Sequence, residues 1–231
     1  MDCFNCHNNH CIIKRNLNEK LRSFVERKST IRCKKGQTFI IEGSPVHGLY
    51  FVQEGKVKVA KTGFNGKEQI VRFTGHGETI GHRGFGTGLT YQINAVALEN
   101  AVLCNFSNDI LKEMLMEVPL LTYDLMLFYA EELNRSESKV KKFAQMTVRE
   151  KVIDVLLYIN RKFGRTNDIL NLQLSRREIS DFAGTTEEQV IRTLSALRKE
   201  GLIETPGKHI VIKNVEILSN EISEHNYFIN S

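Results

Sequence analysis

Two hydrophobic periods divide this chain. Between Gly36 and Gly88, a stretch holding twelve of its 16 glycines, apolar residues come in short runs: Thr38 to Ile41, Leu49 to Val52, Lys56 to Ala60 and Gln69 to Phe73. These runs alternate or are rich in β-branched and aromatic side chains, and short strands between dense turns predict a compact β-barrel or β-roll. Asn65-Gly66 lies between Val57-Lys58-Val59 and Ile70-Val71-Arg72-Phe73, where a tight hairpin turn needs positive φ.

Beyond Asn108 the period lengthens. Met126, Tyr129, Leu133, Ser136, Val140 and Phe143 recur at alternating spacings of three and four, which predicts one long helix after Pro119 carrying a heptad seam. The same stripe also suits a helix lying on its own barrel. The seam is narrow and flanked by Glu131, Glu132, Glu137, Lys139, Lys141 and Lys142, which favours a partner helix and hence a homodimer. Ser136 falls where an apolar residue would pack better, so the pairing is expected to be only moderately strong. A further helix, Val148 to Phe163, leads into Gly164 and a polar linker through Asn167 and Asp168.

The last third reads helix, turn, helix, hairpin. Ser175-Arg176-Arg177-Glu178 is a capping box opening a helix through Phe182, and Ala183-Gly184 supplies a sharp turn. Thr185-Thr186-Glu187-Glu188 reads as a second capping box, with Val190, Ile191, Leu194 and Leu197 available to pack. Leu202 to Thr205, the turn Pro206-Gly207-Lys208 and His209 to Ile212 form a wing, which completes a winged helix-turn-helix. A helix seated in the major groove presents its N-terminal side chains to base edges, so Thr186, Glu188, Gln189 and Arg192 are the candidate readers. Arg192 is suited to a guanine, and Glu188 to a cytosine or to bracing the arginine; the plain alternative is a surface ion pair. Arg176, with Arg149, Lys151, Arg177, Arg198 and Lys208, is placed to meet phosphates.

Composition narrows the class further. A chain of 231 residues, 41% hydrophobic and 26% charged, suits two domains with cores, and a net charge of +5 mildly favours a polyanionic partner. There is no apolar run of about 18 residues, and the start from Met1 to His7 lacks the basic flank and apolar core of a signal peptide. A soluble, cytoplasmic protein with no membrane partner is the expectation. No nucleophile and base are paired, and the glycine-rich stretch His82 to Leu89 lacks the Lys-Ser/Thr pair of a phosphate-binding loop, so nothing points to an enzyme.

Five cysteines without a secretion signal argue against a disulfide framework. Cys3, Cys6 and Cys11 cluster at the N-terminus, while Cys104 stands far off in Ala101-Val-Leu-Cys-Asn-Phe. Three clustered thiolates and one distant one suffice for an iron-sulfur cluster. Cys-x-x-Cys also holds zinc or forms a redox disulfide, and His7 and His10 are near enough to be rival ligands. Cys33 reads as a small residue in a strand.

In this order and at this length, the elements carry Lys35-Gly36-Gln37, Glu42-Gly43, Gly48-Leu49-Tyr50, Glu54-Gly55-Lys56-Val57, Gly77-Glu78-Thr79-Ile80-Gly81 and Leu174-Ser175-Arg176-Arg177-Glu178-Ile179. With them the chain resembles the CRP/FNR family of bacterial regulators over nearly its whole length. The resemblance implies an α+β chain with a cysteine-bearing arm (1–19), a cyclic-nucleotide-binding-like sensory β-roll (20–117), a dimerisation helix (118–146) and a winged helix-turn-helix (147–231). It also implies a dimer that binds inverted repeats in double-stranded DNA and contacts RNA polymerase. In the cyclic-AMP-binding branch a glutamate meets the ribose and an arginine-serine pair meets the phosphate; here those places hold His82 and Ile93-Asn94. Without the arginine the phosphate loses its cation, which argues against cyclic AMP as effector.

The oxygen-sensing FNR branch is more similar. Its N-terminal cysteines and a cysteine at the place of Cys104 hold a [4Fe-4S] cluster, and Leu17-Asn18-Glu19 also matches it. The gap from Cys6 to Cys11 holds four residues where that branch commonly has five. The resemblance therefore implies a sensor of oxygen, nitric oxide or redox state. Glu188 with Arg192 is similar to recognition helices that read TTGAT-like half-sites; Glu187 stands where the CRP branch has arginine, and Ile191 where the FNR branch has serine. A regulator of the same fold that answers another effector, such as haem near Gly81 to Tyr91, or thiol oxidation, is the alternative.

Overall fold

The computed structural model describes residues 3–86 and 90–226. Thr87, Gly88 and Leu89, which end the glycine-rich stretch and belong to the Gly81 to Tyr91 segment, lie outside the described residues, as do 1–2 and 227–231. Two compact units are formed, Met1–Leu133 and Asn134–Ser231.

The first unit opens with helices α1 (Ile12–Arg15) and α2 (Glu19–Glu26), the latter started by Asn18, whose side chain accepts from the Leu21 amide. Eight strands follow: β1 (Ser29–Cys33), β2 (Thr38–Ile40), β3 (Leu49–Glu54), β4 (Val57–Thr62), β5 (Glu68–Thr74), β6 (Thr79–Ile80), β7 (Asn94–Ala97) and β8 (Ala101–Phe106). They make two antiparallel four-stranded sheets ordered β1-β8-β3-β6 and β2-β7-β4-β5. Asn65 and Gly66 both take positive φ, 59° and 71°, in the β4–β5 turn, as the Asn-Gly pair predicts.

Strand β3 shows why the run Leu49-Tyr50-Phe51-Val52 is unbroken. Tyr50 and Val52 join a core with Ile40, Val57, Ile80 and Leu103, whereas Leu49 and Phe51 face a second core with Leu21, Phe24, Phe106 and Met114. A strand buried on both faces has no polar side to alternate. The second core also takes in helix α3 (Asn108–Glu117) and the start of helix α4 (Pro119–Gln145) through Leu121 and Leu125. Cys33, buried in β1 opposite Ala101, is a core residue of the β-roll.

The second unit holds the end of α4, then α5 (Val148–Phe163), hairpin β9 (Arg165–Thr166) and β10 (Ile169–Leu170), α6 (Arg176–Ala183) and α7 (Glu187–Lys199). Wing strands β11 (Ile203–Glu204) and β12 (Val211–Ile212) follow, then α8 (Val215–Glu221) and α9 (Ser223–Asn226). The expected polar linker after Gly164 is instead a hairpin that extends the wing into a sheet ordered β11-β12-β10-β9. Asn167 and Asp168 take φ of 50° and 62°, so this pair works as a two-residue turn of the kind that favours Asn and Asp.

Arg149, a candidate phosphate contact, is engaged within the unit itself. Its guanidinium is held by Glu221 at 2.5 Å and by Glu200 at 2.6 Å, which ties α5 to the end of α7 and to α8 and pushes its pKa further up. Arg149→Met is expected to lower the melting temperature by roughly 2–4 °C. A thermal scan checks this, and an unchanged transition would show the clamp to be idle.

Candidate functional site

The helix-turn-helix of the second unit is built by local capping. In α6 the Ser175 amide donates to Glu178 at 2.8 Å and the Glu178 amide donates to Ser175 Oγ at 3.1 Å. Gly184 ends the helix in the left-handed region (φ 66°), which a side chain would resist. The second cap differs from the expected box. Thr186, not Thr185, is the N-cap of α7 and accepts from the Gln189 amide. The left-handed residue at 184 turns the chain one position later, and the buried Thr185 donates its hydroxyl to Gln189 Oε1 instead.

Helix α7 buries Val190, Leu194 and Leu197. Ile191, expected to pack with them, is 49% exposed, because one residue past Val190 is a turn of about 100° away from the core. It shares the outer surface with Glu188, Gln189 and Arg192, all exposed. Glu188 and Arg192 pair at 2.5 Å with side chains 72% and 77% accessible, so they are available to a large partner. Thr186 is exposed with its oxygen committed to the cap, and Arg176 is half-buried at the start of α6.

The cysteine site lies in the first unit. Strand register sets Cys104 in β8 opposite Thr30 and Phe51, with its sulfur 3.5 Å from Gln53 Oε1. Cys3, Cys6 and Cys11 come from the arm, and every pair among these four thiols is within electrostatic range. Burial pushes the Cys3 thiol up to about 12 and raises Cys11 and Cys104, while the cation of Lys28 works against the rise at Cys3 and Cys104. Cys33 is outside the group, and His7 and His10, the rival ligands, are exposed.

The arm is docked by contacts the sequence did not single out. Asn8 donates to the Val52 carbonyl at 3.2 Å, while within the arm Lys14 donates to the Phe4 carbonyl at 2.8 Å. Gly77 (φ +80°) lies directly beneath: a Cβ there would stand 2.7 Å from Asn8 Oδ1 and 2.8 Å from the Cys11 amide nitrogen. Buried Asn16 donates at 2.9 Å both to the Ile12 carbonyl and to Asp124 of α4, and Arg15 lies 3.7 Å from the same carboxylate. The arm therefore touches the long helix as well as the β-roll. In Gly77→Ala the strain of a left-handed alanine, about 1–2 kcal/mol, adds to this overlap. The variant is expected to release the arm to limited proteolysis while the β-roll stays folded; an arm as resistant as the parent's would count against the docking role.

Among the described residues no three of His, Cys, Asp or Glu converge on a single metal ion. A [4Fe-4S] cluster distributes its four cysteines over separate irons, so it suits a looser set of thiols than one tetrahedral zinc does. At Cys3, Cys11 and Cys104 desolvation favours the thiol over the thiolate, and a bound cation reverses that preference. Donor type and the partial burial of the thiols thus fit such a cluster, with Cys3, Cys6, Cys11 and Cys104 as the residues that would hold it.

Ile93 and Asn94 are both engaged within the β-roll. Ile93 is buried in the core between the sheets, and Asn94 accepts from the Glu42 amide at 3.0 Å and donates to Thr62 at 2.9 Å. Of the six seam residues on α4, Met126, Leu133 and Val140 are 57%, 60% and 68% exposed, one heptad apart. Tyr129, Ser136 and Phe143 are half-buried; the Tyr129 hydroxyl donates to the His82 carbonyl at 2.6 Å.

Two family models match the chain: a cyclic nucleotide-binding domain over residues 30–118 and a Crp-like helix-turn-helix domain over 150–221. The fumarate nitrate reduction regulatory protein of Klebsiella oxytoca is 27% identical, over 94% of this chain and 88% of its own. FixK2 from Bradyrhizobium japonicum, a solved structure, is 25% identical with a TM-score of 0.75, covering 84% of this chain and 96% of that one. The chain belongs to the CRP/FNR family. A CRP/FNR-family transcriptional regulator of Thermus thermophilus shares the fold at a TM-score of 0.72 and 20% identity, over 85% of this chain and 98% of that one. As a CRP/FNR-type regulator the protein is a DNA-binding transcription factor. Among the described residues no helix is long and apolar enough to cross a membrane.

Proposed function

We propose that this CRP/FNR regulator senses oxygen, nitric oxide or redox state through a [4Fe-4S] cluster held by Cys3, Cys6, Cys11 and Cys104, and that this state controls dimerisation and DNA binding. The observation that carries the reading is that one strand thiol lies within electrostatic range of the three thiols of the arm. When bound, the cluster supplies four iron-thiolate links and a centre that oxygen or nitric oxide can attack. Cys104 then anchors the arm to β8, and Asn8 and Gly77 seat it on the β-roll. Asn16 and Arg15 carry its position to Asp124 of α4. The reading assigns the segments as above: arm 1–19, sensory domain 20–117, dimerisation helix 118–146 and DNA-binding domain 147–231.

The exposed Met126, Leu133 and Val140 meet the same residues of a second copy, with Tyr129, Ser136 and Phe143 alongside. The dimer binds an inverted repeat with TTGAT-like half-sites, read by Glu188 and Arg192 with Thr186 and Gln189 nearby, while Arg176 holds phosphate. RNA polymerase is the further partner, the cytoplasm the location, and cyclic AMP has no part. Anaerobic reconstitution, with visible absorption, iron and sulfide analysis and binding to an inverted-repeat fragment before and after air, tests this. Protein that takes up no iron and sulfide, or binds the fragment equally in both states, overturns it.

A further inference from the structure

A second device joins the β-roll to α4, away from the cysteines. Glu132 of α4, beside the seam residue Leu133, is 6% exposed although its side chain is a carboxyl group. Its Oε2 receives Arg72 Nη1 of β5 at 3.1 Å, and the other end of the guanidinium reaches Glu78 at 3.3 Å. Glu78 is itself fixed by the Gly75 amide at 2.7 Å. His82, from the turn after β6, brings its Nε2 to 3.5 Å from the same Glu132 oxygen. Phe128 and Tyr129 stack edge-on against the imidazole at 4.9 and 5.7 Å, closing the group on the helix side.

Burying a carboxylate and a guanidinium costs several kcal/mol per ion before they attract each other, so such a pair is a poor way to gain stability and a good way to select one arrangement. An apolar side chain at 132 would hold α4 in several rotational settings. A carboxylate that must meet Arg72 selects the setting in which the two are apposed. The carboxylate of the helix thus fills the corner beside Gly81 and His82 with an anion from the chain itself.

We propose that Arg72 and Glu132 form a built-in latch that fixes the rotation of α4 on the β-roll and so sets how Met126 and Leu133 are presented, without a diffusible anion. The latch does not depend on the iron-sulfur reading, since none of its groups is a cysteine or an arm residue.

Glu132→Gln keeps the shape and removes the charge, Arg72→Met removes the cation, and the double variant R72M/E132L replaces the pair with apolar groups. Hydrogen exchange is followed in the full chain for amides 125–133 of α4, with those of β3 and β8 as internal controls, alongside the dimer dissociation constant. Each single variant is expected to speed exchange in the helix about tenfold or more and weaken the dimer, with β3 and β8 unchanged; the double variant should recover most of the loss. Singles that exchange like the parent overturn the latch. So does a double variant as loose as the two singles combined, or loosening shared equally by β3 and β8, which would make the pair a general stabiliser. A protein that fails to take up iron and sulfide but still shows the helix-specific change leaves the latch standing and removes only the cluster reading.

Discussion

Cys104→Ser, reconstituted without oxygen, is expected to hold almost no iron and sulfide, whereas Cys33→Ser prepared in parallel holds as much as the parent. A serine hydroxyl has nearly the volume of a thiol but does not give up its proton to iron at neutral pH, so the substitution removes a ligand and little else. Cys104 is the single member of the set supplied by a strand of the β-roll, and a set reduced to arm cysteines has no anchor on the sheet. The effect should be close to all or none, because a [4Fe-4S] centre needs its fourth cysteine. Cys33 is the proper control: it is as buried as a core residue and lies outside the group of four. Dimer dissociation and DNA affinity measured on the same samples test the coupling. A Cys104→Ser protein with full iron and sulfide sinks the ligand assignment, and loss of the centre without change in DNA affinity sinks the link to α4.

Arg192→Ala is the second large effect. If the guanidinium donates to a guanine, its loss removes about 1–3 kcal/mol of discrimination in each half-site, or roughly five- to 150-fold. Operators carrying another base at that position should then bind the variant as well as the original operator does. The dependence of affinity on salt should barely change, because no phosphate contact is removed, whereas substituting a phosphate-binding cation lowers the salt slope by about one. Glu188→Gln should weaken the same preference by less, since the amide still reaches position 192 but no longer braces it with charge. A full ranking of operator variants by gel shift decides: an unchanged ranking means Arg192 does not read bases, and the 2.5 Å pair is only a surface contact.

The parts that were legible in advance share one property. The hairpin at Asn65-Gly66, the Ser175–Glu178 box, the turn at Gly184 and the start of α4 at Pro119 all depend on residues within four positions of one another. The same rule explains the local misses. Thr185 and Thr186 are equivalent as letters, and only the left-handed Gly184 decides which one caps α7. Asn167-Asp168 carried a turn signal, but two-residue strands give too short a pattern to stand out from a polar linker. Ile191 looked like core because it adjoins Val190, whereas the helical angle between neighbours turns it outward.

The cysteines mark the boundary between the two kinds of information. That Cys3, Cys6 and Cys11 are neighbours is visible in the chain, and that Cys104 belongs with them was implied by resemblance alone. Nothing local to Cys104 aims it at the arm; the register of β8 against β1 and β3, and the arm's seat over Gly77, bring it there. Arg72, Glu132 and His82 are likewise 10 to 60 positions apart, and Arg149 meets Glu200 and Glu221 across 51 and 72. By itself, then, the sequence determined most of the strand and helix segments, where they turn, and that Glu188, Gln189 and Arg192 of α7 face outward, since steric and hydrogen-bonding preferences act over one or two turns. Which thiols lie near one another, which carboxyl group of α4 is buried and which arginine is spent on internal carboxylates were decided only by tertiary structure, because each depends on sheet register and helix rotation that many residues set together.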